Sequence, residues 1–229
     1  CLDKLNTGNN KILTVEDPVE YQQPGIQQIQ VHSGIGLTFA AALRSVLRHD
    51  PDILMVGEIR DLETAEIAIQ FALTGHPVLS TLHTNSAAAS VTRLLDMGVD
   101  DYLLTSAING IVAQRLVRRL CVHCKKPAPE TAEIAERLGQ GGFENATFYK
   151  ADGCSECRQT GYSGRSAIVE VLPFTRSVTA AILDGKSAQE IQEIAVADGM
   201  VTLLQDGLKR AAAGETTLEE VLRVARLAK

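Results

Sequence analysis

The 229-residue chain has no surplus of positive charge. It carries 22 Lys and Arg against 28 Asp and Glu, a formal net charge of −6. Residues 1–120 hold 9 basic and 13 acidic side chains, and residues 121–229 hold 13 and 15. Neither half offers the basic face that a nucleic-acid footprint needs. No apolar run reaches the length of a membrane span. The first residues lack the charged stretch and apolar core of a secretory signal. A G-x-x-x-x-G-K-S/T phosphate loop is also missing. The nearest approach, Gly185-Lys186-Ser187, has Ala180 where the motif needs its first glycine, and it follows a helical stretch rather than a strand. Gly185 reads instead as a helix C-cap and Ser187 as the next N-cap.

What is present is ordinary for a globular protein with a sizeable core: 45% hydrophobic residues, and length enough for one large or two small domains. Ile53-Leu54-Met55-Val56, bounded by Pro51 and Gly57, reads as a strand buried on both faces. It delivers Glu58 just ahead of an amphipathic helix that Asp61 caps. A carboxylate at the carboxyl end of such a strand sits where α/β sheets bind ligands, and it can polarise a water or stand in a metal's shell. The alternative is a helix-capping acid. Ile12-Leu13-Thr14-Val15 is a second short strand, ending in Glu16-Asp17-Pro18, and Pro77 to Leu82 a third, delivering His83. The intervening helices favour parallel strands, which would bring Glu16, Glu58 and His83 to one rim. Ile26 to Val31 alternates weakly, as an edge strand does.

Thr38 to His49 has a helical apolar stripe of Phe39, Ala42, Leu43, Val46 and Leu47. Arg44 and Arg48, four apart, share one face. They read either as a solvated pair bonded to nearby acids or as a cation pair for anionic phosphate. Ala87 to Met97 reads as a helix, and Tyr102 to Ala113 as mostly helical. Residues from Phe174 on are helical, with capping boxes at Ser187–Glu190 and Thr217–Glu220.

Four of the five cysteines form two C-x-x-C pairs, Cys121/Cys124 and Cys154/Cys157, separated by 29 residues. Four thiolates so arranged close a tetrahedral zinc shell with no open position, so the site would be structural. The pattern points to metal in a reducing compartment rather than to disulfides. A segment over 127–153 must be looped out between the pairs. Gly161 to Arg165 reads as a turn feeding a strand, Ala167 to Leu172.

Taken in order, these stretches resemble the bacterial secretion ATPases of the type II secretion and type IV pilus assembly family. Ile12 to Tyr21 looks like that family's Asp box. Asp50 to Asp61 looks like its atypical Walker B, with Gly57 where other P-loop enzymes carry a magnesium-holding Asp. Thr74 to Ser86 looks like its His box, and the cysteines with Thr160 to Arg165 look like its tetracysteine module. The resemblance implies a RecA-like ATPase core over 1–120, a zinc subdomain over 121–172 and a helical region over 173–229. It implies ATP, Mg2+ and Zn2+. It also implies a homo-hexamer that works with platform and cytoplasmic-domain proteins at the inner membrane, peripheral to it and without nucleic acid. Glu58 would orient the attacking water, Glu16 would act through the magnesium shell or a second water, and His83 would sense the γ-phosphate. Arg44, Arg48, His76 and Asp17 would be phosphate-associated. The family's Walker A loop would precede Leu2–Leu5, and these residues lack it, so the chain as written is expected to hydrolyse ATP poorly. Three readings follow: a type II secretion motor, a type IV pilus extension motor, or a non-catalytic zinc-stapled interaction module.

Overall fold

The structure, a computed structural model, describes residues 2–129, 138, 143 and 146–226. The chain forms two compact units. The first comprises Cys1–Thr84, Ser90–Asn109 and Thr179–Ala188, and the second Asn85–Ala89, Gly110–Val178 and Gln189–Lys229.

The first unit is built on four parallel strands, β1 (Ile12–Glu16), β2 (Ile26–Gln30), β3 (Ile53–Val56) and β4 (Val78–Ser80), in the order β2-β1-β3-β4. The apolar runs take the middle of the sheet because helices cover both faces there, α1 (Leu2–Leu5) the one and α2 (Phe39–Val46) and α3 (Leu62–Leu73) the other. Ile12, Leu13, Val15, Ile53, Leu54 and Val56 are all buried. The weakly alternating β2 lies at the edge, where one side of its ladder is open. Helices α4 (Ala87–Asp96) and α5 (Asp101–Ala107) complete the first half of the chain. The stripe on α2 packs as its spacing requires: Leu43 and Val46 meet Leu13, Val15, Leu54 and Val56 on one sheet face, and Leu2 meets Ile12, Ile26 and Ile53 in a second cluster. Thr38 caps α2 by accepting from Ala41 N, and Asp61 caps α3 by accepting from Thr64 N.

The second unit is organised by a long antiparallel pair, β5 (Gly110–Leu120) and β8 (Tyr162–Pro173), with a short pair β6 (Lys126–Pro127) and β7 (Tyr149–Lys150). Strand β5 corrects the expectation of a helix from Tyr102 to Ala113, because α5 ends at Ala107 and the chain is extended from Gly110. Ile111, Ala113, Arg115 and Val117 are buried or half-buried while Val112, Gln114 and Leu116 are exposed, a period of two that a helix cannot satisfy. Residues 110–120 therefore group with the cysteine-bearing part rather than with the sheet. Strand β8 likewise starts at Tyr162, ahead of the expected Ala167.

Helices α6 (Arg176–Leu183), α7 (Ala188–Ala197), α8 (Leu203–Ala212) and α9 (Leu218–Arg226) follow. Val117, Ile168, Leu203 and Val224 form one core of this unit, and Phe148, Leu208, Ala211, Leu218 and Val221 another. A full capping box opens α8, with Thr202 and Gln205 bonding reciprocally. Gly207 lets α8 and α9 touch, since a Cβ there would fall 2.5 Å from Val221 Cγ1. Part of the segment expected to loop out over 127–153, and Cys1, lie outside the described residues.

Candidate functional site

Parallel strands place their carboxyl ends on one edge, and that edge carries Glu16, Glu58 and His83. The backbone beyond β3 is tightly held. Gly57 N donates to Val15 O at 2.7 Å, Ile59 N donates to Thr81 O at 3.1 Å, and Thr81 Oγ1 donates to Gly57 O at 2.6 Å. A Cβ at position 57 would sit 3.1 Å from Val15 O and 3.2 Å from Glu16 Cα. A side chain at position 57 would therefore press on the end of β1.

Glu58 is 7% exposed. Its Oε2 lies 2.6 Å from Arg60 Nε and 3.4 Å from His83 Nε2, yet that buried oxygen accepts no well-formed hydrogen bond. Both neighbours are open to solvent, with side chains 66% and 86% exposed. The result is an under-bonded carboxylate with an exposed guanidinium and an exposed imidazole beside it. It can accept a proton from water, or stand in a hydrated cation's outer shell, while the guanidinium and imidazole face an anion. Arg60 escaped the sequence reading. The available signal was its spacing, since residues i and i+2 of an extended segment share a side.

Glu16 is half-buried at the end of β1. Its Oε1 accepts from Thr14 Oγ1 at 2.5 Å and from Gln28 Nε2 on β2 at 2.9 Å. It shares the edge with Glu58 and His83 but turns its carboxylate toward β2. Asp17 is exposed beside it, ahead of a cis peptide to Pro18. His76 sits before β4, at the amino end of that strand, so the structure does not bring it to His83. It stacks on Phe71 with ring centroids 4.5 Å apart and meets Thr74 Oγ1 at 2.8 Å. Arg44 forms an exposed ion pair with Glu63, and Arg48 donates to Arg44 O at 2.8 Å. The arrangement of these two arginines is that of a solvated pair bonded to a nearby acid.

The second unit holds the cysteine cluster. The four sulfurs of Cys121, Cys124, Cys154 and Cys157 lie within 4.8 Å of one another, with the closest pairs at 3.7, 3.8 and 3.9 Å. These separations are too long for a disulfide. They match the edge of a sulfur tetrahedron around a metal at about 2.3 Å, which is about 3.8 Å. Backbone N–H groups point at the sulfurs: Gly153 to Cys124 at 3.3 Å, Cys154 to Cys157 at 3.2 Å and Gly161 to Cys157 at 3.1 Å. Burial opposes the Cys157 thiolate, but the N–H groups of Cys154 and Gly161 outweigh it and bring the thiol down to about 6. Burial pushes Cys124 up to about 11 despite the Gly153 N–H. The donor set fits one four-coordinate ion held by sulfur.

Comparison with known proteins covers both units. A family model described as "Type II/IV secretion system protein" matches residues 1–223. The chain is 52% identical over 226 residues to the type II secretion system protein HxcR of Pseudomonas aeruginosa, covering 99% of this chain and 45% of that protein. It is 54% identical over 226 residues to the type IV pilus assembly ATPase PilB of Thermus thermophilus, covering 96% of this chain and 25% of that one. The chain thus spans less than half the length of these curated relatives. Among solved structures it resembles the pilus retraction motor PilT with bound ADP, at 29% identity and a TM-score of 0.70, over 97% of this chain and 55% of that one.

Proposed function

From the premise that the chain belongs to the type II/IV secretion system protein family, we propose that it supplies the hydrolytic rim and a zinc module of an ATP-driven motor. The core would be RecA-like and would work as a homo-hexamer. Its partners would be platform and cytoplasmic-domain proteins of a membrane machine. Relatives of both kinds, secretion and pilus assembly, match at nearly equal identity, and the machine served is either a type II secretion system or its pilus-assembling counterpart.

The observation that carries this reading is the buried, under-bonded Glu58 carboxylate at the end of a central strand, with His83 and Arg60 against it. In it, Glu58 takes the proton of, and orients, the water that attacks the terminal phosphoryl group, a task of positioning and electrostatics. His83, exposed and within 3.4 Å of Glu58 Oε2, reads the phosphate and relays its presence to that carboxylate. Glu16 holds a water of the cation's shell. Bound magnesium, when present, neutralises charge building on the phosphates. Asp17, Arg44 and Arg48 join only when the ligand or a neighbouring copy draws them from the positions described above. No G-x-x-x-x-G-K-S/T occurs in these residues, so they supply the catalytic rim and not the phosphate cradle.

The test is Glu58→Gln in the protein at its natural length. Turnover should be abolished while nucleotide binding is kept. Unchanged turnover would remove Glu58 from this role. For the cysteine cluster, protein purified without chelator should carry one zinc per chain, and a content well below one would count against zinc.

A further inference from the structure

Glu58 stands between two peptide groups, and one residue holds both. On its amino side, the Gly57 carbonyl accepts from Thr81 Oγ1 at 2.6 Å. On its carboxyl side, the Ile59 N–H donates to Thr81 O at 3.1 Å. Peptide groups are planar, so the soft backbone rotations at Glu58 are the two about its own Cα. Tying both planes to one residue restrains those rotations, and with them the direction in which the Glu58 side chain leaves the chain. One residue earlier, Gly57 N donates to Val15 O at 2.7 Å, which ties the same segment to β1.

The far end of the side chain offers no comparable hold. Glu58 Oε2 is buried and accepts no well-formed hydrogen bond. Its aim therefore depends on the backbone end. Thr81 also stands two residues ahead of His83, whose Nε2 lies 3.4 Å from that oxygen. All of these residues belong to the first unit.

We propose that Thr81 is a positioning residue for Glu58, its hydroxyl and its carbonyl together holding the peptide groups on either side of the Glu58 Cα. Its effect on turnover rests on the hydrolytic reading, and its effect on the backbone rests on these bonds alone. The hydroxyl bond is the one that a substitution can remove. Thr81 is exposed, so valine in its place puts no extra volume into a core.

The experiment takes the protein at natural length with Thr81→Val, which keeps the shape and loses the donor, and Thr81→Ser, which keeps the donor. Thr105→Val is the control, because Thr105 Oγ1 makes a bond of the same kind to Asp101 O at 2.8 Å within α5. Amide exchange at Ile59 and ATP turnover are measured side by side. Thr81→Val should speed exchange at Ile59 about fivefold, as loss of one neighbouring hydrogen bond allows. The value of kcat should fall about tenfold with KM within about twofold, because a misaimed reacting group loses rate rather than ground-state binding. Thr81→Ser should bring both back to within about twofold of wild type. Thr105→Val should leave both within about twofold. If Thr81→Val does not fold, Thr81→Ala removes the same donor and carries the test.

Unchanged exchange at Ile59 in the variant without the hydroxyl overturns the proposal. Faster exchange with unaltered kcat overturns its catalytic part. A loss of kcat that serine does not restore assigns the effect to the methyl group and overturns the role of the hydroxyl. If Glu58→Gln also leaves turnover intact, the hydrolytic reading has failed, and the exchange data alone then decide whether Thr81 sets this backbone.

Discussion

Two buried glutamates, one in each unit, have opposite surroundings. Glu58 in the first unit has an oxygen out of contact with water and without a well-formed hydrogen bond, and its two nitrogen neighbours are open to solvent. Glu220 in the second, its side chain 1% exposed, is saturated. Arg118 Nη2 donates to its Oε2 at 2.8 Å, Arg223 Nη2 to its Oε1 at 2.7 Å, Arg223 Nε to Oε2 at 3.1 Å, and Arg118 N to Oε1 at 3.2 Å. The Arg118 guanidinium in turn lies 4.0 Å over the Tyr162 ring. A carboxylate with all its acceptor sites filled has nothing left for a ligand. One that is buried with a site unfilled is costly to keep unless something arrives to use it.

The sharpest way to break this comparison is to neutralise each carboxylate isosterically. For Glu58→Gln, loss of the proposed general base should cost about 10²–10⁴-fold in turnover, with unfolding moved little, because the charge removed has poor partners. The reverse holds for Glu220→Gln. Hydrogen bonds from Arg223 and then Arg118 hold the Glu220 carboxyl down at about 2 against an ordinary 4.5, with burial working the other way. Its stabilising contribution is complete above about 4.5 and is lost as pH falls through about 2. The shift is worth of order 2 kcal/mol once screening of two half-exposed arginines is allowed for. Denaturant melts between pH 6 and 2 should show wild-type stability falling faster than that of Glu220→Gln. Equal slopes would mean that the arginines do not hold the carboxylate in solution.

The same contrast explains what was legible before the structure. The rim was readable because strands buried on both faces are apolar at nearly every position, and the first ionisable residue after such a run marks its end: Glu16, Glu58 and, three residues past Ser80, His83. Strand β5 was not readable as a strand, because Val112 and Leu116 put apolar side chains on its solvent face and erase the polar half of the alternation. The Thr217–Glu220 capping box was half right. Thr217 Oγ1 accepts from Glu220 N at 3.2 Å, but the Glu220 side chain turns away to Arg118 and Arg223. Arginines from distant sequence positions outcompete the local bond, and the spacing of a box carries no sign of them. The clustering of the four cysteines was legible, since each C-x-x-C brings two sulfurs to one point and two such pairs are the pattern of a four-sulfur site.

The smallest expected effect tests the remaining ambiguity, the arginines ahead of Glu58. Arg44 and Glu63 are both more than half exposed and form an ion pair between α2 and α3. An exposed pair of this kind contributes about 0.2–1 kcal/mol. A double-mutant cycle on Arg44→Ala and Glu63→Ala should therefore give a stability coupling below about 1 kcal/mol that shrinks further in high salt. Turnover separates the two roles that the pair leaves open. If the arginine is only solvated, both single variants leave ATP hydrolysis within about twofold of wild type, since neither touches the Glu58 rim. If the guanidinium leaves Glu63 for a phosphate, Arg44→Ala lowers hydrolysis while Glu63→Ala does not, and can raise it by freeing the arginine. The sign of the Glu63→Ala effect carries the information, because loss of helix stability can only lower activity.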